Sequence, residues 1–356
     1  MLLLAPLVIV LVLFVVTQFY FQGEDLSQYQ QPRPEVINAG VEPSEAHGGI
    51  VAFLTPTAES RAKVKQLDKN ARLLSMREGM DKFGKTAQFE GKIIPVDYQG
   101  IKGEWLVPPN ANVQNRMLYI HGGAFLMGSP VSHRPITAHY ARLIGGPVFA
   151  LDYRLLPEHQ RQASIDDSRA AYQWILEQGP EGAANLNNLY VSGDSAGGNL
   201  ALALSLWVRD KGLRAPQAVV ALAPVTDSTY TSPSLTSNVK TDVLLSPLAG
   251  ALAKYHQSLL VWFTAVTYRI RPADPSISPV FGDLSNLPPT LIHASSNEML
   301  LDDSVRFANK ARAAGSPVTL KVWHGLLHVW HMFVDTVPEA QQAFADIEQF
   351  LKQHSR

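Results

Sequence analysis

The chain has 356 residues, 46% of them hydrophobic and 17% charged, with a formal net charge of −1 and no cysteine. That length admits one large domain or two ordinary ones, and the apolar share can build a substantial core. The near-neutral balance, with no basic stripe interleaved with aromatics, argues against a nucleic-acid partner, and the missing cysteine excludes thiol chemistry, disulfides, cysteine-ligated zinc and a lipidated N-terminal Cys.

Residues 1–16 are wholly apolar, Phe19, Tyr20 and Phe21 extend the run, and the first charge is Glu24. About 20 apolar residues in a helix cross a bilayer core, and aromatic side chains suit its interface. A basic leader and an A-x-A-like cleavage site are both lacking. Residues 1–22 are therefore expected to be a transmembrane anchor rather than a cleaved signal peptide or a core helix. Glu24 and Asp25 precede Arg33 on the far flank, a weak bias that puts the N-terminus inside and the rest of the chain on the non-cytoplasmic side. Residues 23–50 are polar, with several Pro and Gly, and read as a linker. The spacing of Ala62, Val64, Leu67, Ala71, Leu74 and Met80 predicts helix within 56–83.

From about residue 92 short apolar runs alternate with helical stretches. Strands are expected at 93–98, 104–109, 117–121, 147–153, 189–195, 218–224, 290–296 and 317–323. Helices are expected at 163–178, 196–210, 303–315 and 337–353. Continuous apolar strands separated by helices imply an α/β domain over 51–356, with a mainly parallel sheet covered on both faces. Residues 226–285 break the alternation and read, with 51–90, as a cap over the carboxyl ends of the strands. Within them the apolar stretch Leu244–Val266 suits plain cap core, and it equally suits a pocket lining, a lipid-facing surface or the pairing face of a homodimer.

Gly193-Asp194-Ser195-Ala196-Gly197 fits G-x-S-x-G, a pattern that chance supplies often. Its setting gives it weight. It ends an apolar strand and opens an Ala/Leu-rich helix, the strand-to-helix turn that exposes a nucleophilic serine. His121-Gly122-Gly123-Ala124 follows another strand, and the N–H groups of Gly122 and Gly123, with Ala196, are the natural donors for an oxyanion. His121 itself is expected to hold that loop. A serine needs a base, and the base needs an orienting acid, in the chain order Ser, acid, His. Glu298, Asp302 and Asp303 follow one strand, and His324, His328 and His331 follow the next. Glu298 comes soonest after its strand. Asp302 is the alternative, although it and Asp303 also suit a helix's first turn. The three histidines could share a helical face and bind zinc, but no acidic ligand is evident nearby and the serine chemistry needs one of them. Neither a metal nor a cofactor is expected.

The stretches HGGAF (121–125), DYRLLPEH (152–159), GDSAGGNLA (193–201), DPSISPVFGDLSNLPPTLI (274–292), NEMLLDDS (297–304) and GLLHVW (325–330) occur in this order. Together they resemble the hormone-sensitive-lipase-like branch of the α/β-hydrolase esterases, over roughly residues 92–350. The resemblance implies an α/β-hydrolase fold with a helical cap, a carboxylesterase acting on small ester substrates, Ser195 as nucleophile, Glu298 in the acid slot and His328 as base. It also implies an oxyanion hole from Gly122, Gly123 and Ala196. Three features depart from the family's pattern: Ala124 stands where a third Gly is frequent, Glu298 where Asp is frequent, and Gln160-Arg161-Gln162 where an apolar Phe-Pro pair is usual. An amidase or peptidase of the same fold and a catalytically silent membrane-anchored binding protein are the rival readings.

Overall fold

The computed structural model describes residues 12–356. Nine strands form one sheet: β1 (Val36–Ile37), β2 (Lys92–Tyr98), β3 (Ile101–Val107), β4 (Asn115–Ile120), β5 (Val148–Leu151), β6 (Asn188–Asp194), β7 (Ala218–Leu222), β8 (Thr290–Ser295) and β9 (Val318–Trp323). Their order across the sheet is β1-β9-β8-β7-β6-β4-β5-β3-β2. Pairing is parallel from β1 through β5, and only β3 runs against its neighbours β5 and β2.

The period-two geometry of a strand explains the two cores. On β4, Leu118 and Ile120 face one layer while Met117 and Tyr119 face the other, and all four are fully buried. The first layer is filled by α5 (Arg161–Glu177), α6 (Ala196–Asp210) and α8 (Leu301–Ala313). The second is filled by α4 (Arg134–Ile144) and α9 (Pro338–Gln353). Helix α4 was not foreseen from the sequence. Its local marks are Pro135 in the first turn, the helical spacing of Ile136, Tyr140, Leu143 and Ile144, and Gly145, left-handed at φ 57°, at its end.

The stretch 23–50 departs from the linker expected there, because it is strapped onto the domain. Val36 and Ile37 extend the sheet beside Val322 and Trp323. Asn309 Nδ2 donates to the carbonyls of Tyr29 and Pro32, Arg33 pairs with Asp302, and Leu26 is buried in the core. Helix α1 (Glu45–Leu54) closes the stretch, with Ser44 as its N-cap. These contacts are to residues some 270 to 290 positions away, so local composition carries no sign of them.

The helical expectation for 56–83 resolves into α2 (Ala58–Gln66) and α3 (Lys69–Gly84). Helix α3 lies on loops that leave the sheet. Arg77 donates to the carbonyls of Leu126 and Leu156, and Phe83 packs on Phe333. From the 226–285 segment, α7 (Gln257–Tyr268) meets the loop after β4 through Tyr268 and Phe125. Of the expected anchor, residues 1–11 lie outside the described residues. Val16–Phe21 is helical, and among the described residues no helix is long and apolar enough to cross a membrane.

Candidate active site

Ser195, the glycine loop, Glu298 and His328 follow β6, β4, β8 and β9, all parallel neighbours, so the four arrive at one edge of the sheet. Ser195 sits at φ 51°, ψ −114°, a backbone geometry that side chains rarely adopt. The surroundings impose it. The Ser195 N–H donates to Leu222 O at 2.7 Å, and Ser195 O accepts from Asn199 N and Val225 N. The turn is tight enough that a Cβ on Gly197 would stand 1.9 Å from Ile120 O, and one on Gly193 would stand 2.4 Å from Gly197 O. Only glycine fits at these two positions.

The serine hydroxyl lies 2.9 Å from His328 Nε2, and His328 Nδ1 lies 2.7 Å from Glu298 Oε2. The other carboxylate oxygen of Glu298 accepts the Ser295 N–H at 2.9 Å. Burial raises the Glu298 carboxyl above its ordinary value, with the His328 hydrogen bond pulling the other way. For His328, burial favours the neutral ring. The Glu298 hydrogen bond and charge, with smaller contributions from Asp242 and Asp194, outweigh that and leave its pKa above 6.5.

The glycine loop requires one correction. The Gly122 N–H is not free for an oxyanion, because it donates to Asp194 Oδ1 at 2.9 Å. A Cβ there would stand 2.2 Å from Asp194 Oδ2. The N–H groups of Gly123, Ala124 and Ala196 engage no acceptor among the described residues. Ala124 and Phe125 both have positive φ, 55° and 62°, so the chain doubles back where a third glycine is frequent in the family. His121 is stacked on Tyr153 with centroids 4.2 Å apart, and its ring lies 2.7 Å from Gly122 O. Burial, then His133, push its pKa down to about 3, so it is a neutral brace for the loop.

The other candidates are engaged elsewhere. Asp302 accepts the Ser234 N–H at 2.8 Å and pairs with Arg33. Asp303 accepts the N–H groups of Thr226 and Asp227, and burial, then Asp227, push its pKa up to about 7. His331 meets His293 at 3.1 Å, and His293 in turn meets Asp346 at 2.9 Å. The three histidines do not share a helical face. His324 lies at the end of β9, Val329 turns through φ 53°, and the helical turn starts only at Trp330. Among the described residues no cluster of His, Cys, Asp or Glu could hold a metal ion.

Three further sets of residues shape the site. Asp194, noticed only as the variable position of the motif, is a buried carboxylate held by Tyr119 at 2.5 Å, Gly122 N and His133 at 3.3 Å. It joins the elbow to the glycine loop. Asn238 donates to the carbonyls of Ser296 and Glu298, and Asp242 accepts from Met299 N, so the 226–285 segment fixes the turn that carries Glu298. Arg161 is buried, with no acidic partner among the described residues. Its guanidinium lies 3.8 Å from the Phe125 ring centroid and donates to Asn199 Oδ1 and Ser164 Oγ, each at 2.7 Å. Burial lowers its pKa to about 10. Apart from the Arg161–Ser164 pair within one helix, these contacts join segments far apart in the sequence.

Comparison with known proteins agrees with this architecture. The α/β-hydrolase fold family matches residues 117–332. An esterase of Acinetobacter venetianus is 39% identical over 73% of this chain and 81% of its own length, and an acetyl-hydrolase of Streptomyces hygroscopicus is 33% identical over 79% and 89%. The crystal structure of EstE5 soaked with p-nitrophenyl butyrate superposes with a TM-score of 0.73 at 32% identity, covering 87% of this chain and 99% of that one. An esterase from the bacterial hormone-sensitive lipase family reaches 0.73 at 29%, covering 88% and 99%. The protein is a carboxylic ester hydrolase. The chain belongs to the α/β-hydrolase fold family, on its hormone-sensitive-lipase-like branch.

Proposed function

We propose that the protein is a serine carboxylesterase working through an acyl-enzyme, with Ser195 as nucleophile, His328 as base and Glu298 as its orienting acid. The observation that carries this is the unbroken chain of contacts from Ser195 Oγ to His328 at 2.9 Å and on to Glu298 at 2.7 Å. His328 Nε2 takes the serine proton as Oγ attacks the ester carbonyl. Glu298 holds the other ring nitrogen and stabilises the imidazolium that forms. The carbonyl oxygen gains negative charge, and the unengaged N–H groups of Gly123, Ala124 and Ala196 are its donors, each worth about 10²–10³ in rate. The tetrahedral intermediate collapses as His328 returns the proton to the leaving alcohol. Water, deprotonated by the same ring, then releases the acid. No metal or cofactor takes part.

The segments 51–90 and 226–285 act as the cap, and the acyl chain accepted is short to medium. Two relatives, an acetyl-hydrolase and an esterase crystal soaked with a butyryl ester, support that range. Turnover of p-nitrophenyl esters from C2 to C16 is expected to peak at or below C8, with the matching anilides cleaved far more slowly. Comparable anilide cleavage would favour an amidase, and a peak at C16 would make the enzyme a lipase.

Residues 1–22 tether the enzyme to a membrane with its catalytic domain on the non-cytoplasmic side. The wholly apolar run 1–16, the aromatic residues 19–21 and the acidic far flank support this.

A further inference from the structure

We infer that the outer face of α7, together with the helical segment Val16–Phe21 beside it, docks onto the surface of an anionic phospholipid bilayer and aims the Ser195 cleft at esters dissolved there. This rests on the proposed tether and adds to it a second contact made by the cap.

Leu259, Phe263 and Val266 are 62%, 59% and 72% exposed, on a helix whose Leu260, Val261 and Thr264 are buried. Spacings of four and three residues put the exposed trio on one face. Trp262 borders that stripe. Its Nε1 donates to Thr17 Oγ1 at 2.8 Å, and its ring meets Phe21 edge-on at 4.7 Å. The helical segment at Val16–Phe21 is thus fastened alongside, and it exposes its own apolar side chains, with Phe19 at 79%. The two elements lie side by side, joined through Trp262, Thr17 and Phe21, and each exposes large apolar side chains, more than the scattered single residues normal on a soluble domain.

The surroundings of this surface name its occupant. Residues 243–273 contain Lys254, Arg269 and Arg271 and no acid at all. Lys254 and Arg269 are exposed, and the Arg271 guanidinium sits 5.5 Å from the Tyr20 ring centroid. Apolar side chains ringed by aromatic and basic residues match the layering of a bilayer interface with an anionic surface. The acids that flank this stretch are turned inward or held locally: Asp242 is buried and accepts the Leu245 and Met299 N–H groups, and Asp274 accepts from Ser276 N and Oγ. Beyond Phe21, Glu24 pairs with Lys310. Residues 1–11, which precede this segment in the sequence, are wholly apolar. The C-terminal end of α7 carries Tyr268, packed edge-on to Phe125 at 6.3 Å, next to the loop of Gly123 and Ala124. A bilayer touching α7 therefore lies beside the entrance to the site.

The test uses the full chain and the variant L259S/F263S/V266S on vesicles of phosphatidylcholine with phosphatidylglycerol. Flotation of the wild type at high salt reads the tether alone, and failure to float overturns the tether. The docking face is read as the ratio of kcat/KM for a medium-chain ester embedded in the vesicles to kcat/KM for soluble p-nitrophenyl acetate. Removing three apolar side chains from an interface is expected to lower that ratio about tenfold or more, with the soluble ester turned over as before. Lys254→Glu with Arg269→Glu should lower it on anionic vesicles and leave it unchanged on pure phosphatidylcholine. An unchanged ratio in the triple variant, while wild type and variant both float, overturns the docking face and leaves the tether standing. A detergent-solubilised dimer that falls to monomers in the triple variant also overturns it, by assigning the surface to a second copy of the chain.

Discussion

Ser195→Ala is expected to lower kcat for p-nitrophenyl butyrate by about 10⁵–10⁶ while leaving the fold intact. Among the described residues the hydroxyl makes one hydrogen bond, with His328 at 2.9 Å, whereas the turn is held by main-chain bonds that the substitution keeps: Ser195 N–H donates to Leu222 O, and Ser195 O accepts from Asn199 N and Val225 N. Alanine adopts the φ of 51° no less readily than serine, so the melting temperature should move little. Circular dichroism and thermal unfolding check the fold, and a fluorophosphonate probe checks the nucleophile by failing to label the variant. Adding His328→Ala should cost little more, because nucleophile and base act as one unit. A Ser195→Ala enzyme with turnover near that of the wild type would exclude Ser195 as nucleophile.

Glu298→Gln is the second large effect, expected to lower kcat about 10⁴-fold. Glutamine keeps the volume, but its amide can present an N–H to His328 Nδ1. The ring then carries its proton on Nε2 and cannot take the one on Ser195. The pH profile distinguishes this from a loss of packing. His328 works only when neutral, so wild-type kcat/KM should fall as the pH drops through a pKa above 6.5. Once the Glu298 charge is removed, burial is the largest remaining influence and favours the neutral ring, so the acid limb should move to lower pH. Asp302→Asn is the control. It weakens the ties to Arg33 and Ser234, which costs stability, and it should leave kcat/KM close to wild type. A larger rate loss in Asp302→Asn than in Glu298→Gln would reverse the acid assignment.

The sheet was legible because strands and helices write local periodicities. The expected strands at 117–121, 189–195, 218–224 and 290–296 fall within one or two residues of β4, β6, β7 and β8, and helix 196–210 is α6 itself. The serine turn was legible because its glycines are forced by backbone approaches within a few residues and to the adjacent strand. Helix α4 has no side-chain N-cap to mark its start, but its apolar residues Ile136, Tyr140, Leu143 and Ile144 do recur at helical spacing, a local signal that the sequence carries.

What the sequence determined by itself is the set of chemical groups and the edge of the sheet to which they come, since parallel strands deliver every following loop to their carboxyl end. Only the tertiary structure decided among near neighbours. Glu298 and Asp302 stand four residues apart in sequence, and packing gives them different partners: His328 in one case, Ser234 and Arg33 in the other. The same holds for the glycine loop, where the Asp194 carboxylate claims the Gly122 N–H and leaves Gly123 and Ala124 unengaged. It holds again for 23–50, whose polar composition reads as a linker until a sheet edge and Asn309 bind it. Periodicity is a property of neighbours along the chain, whereas the partner of a carboxylate or an N–H is set by packing between segments far apart in sequence.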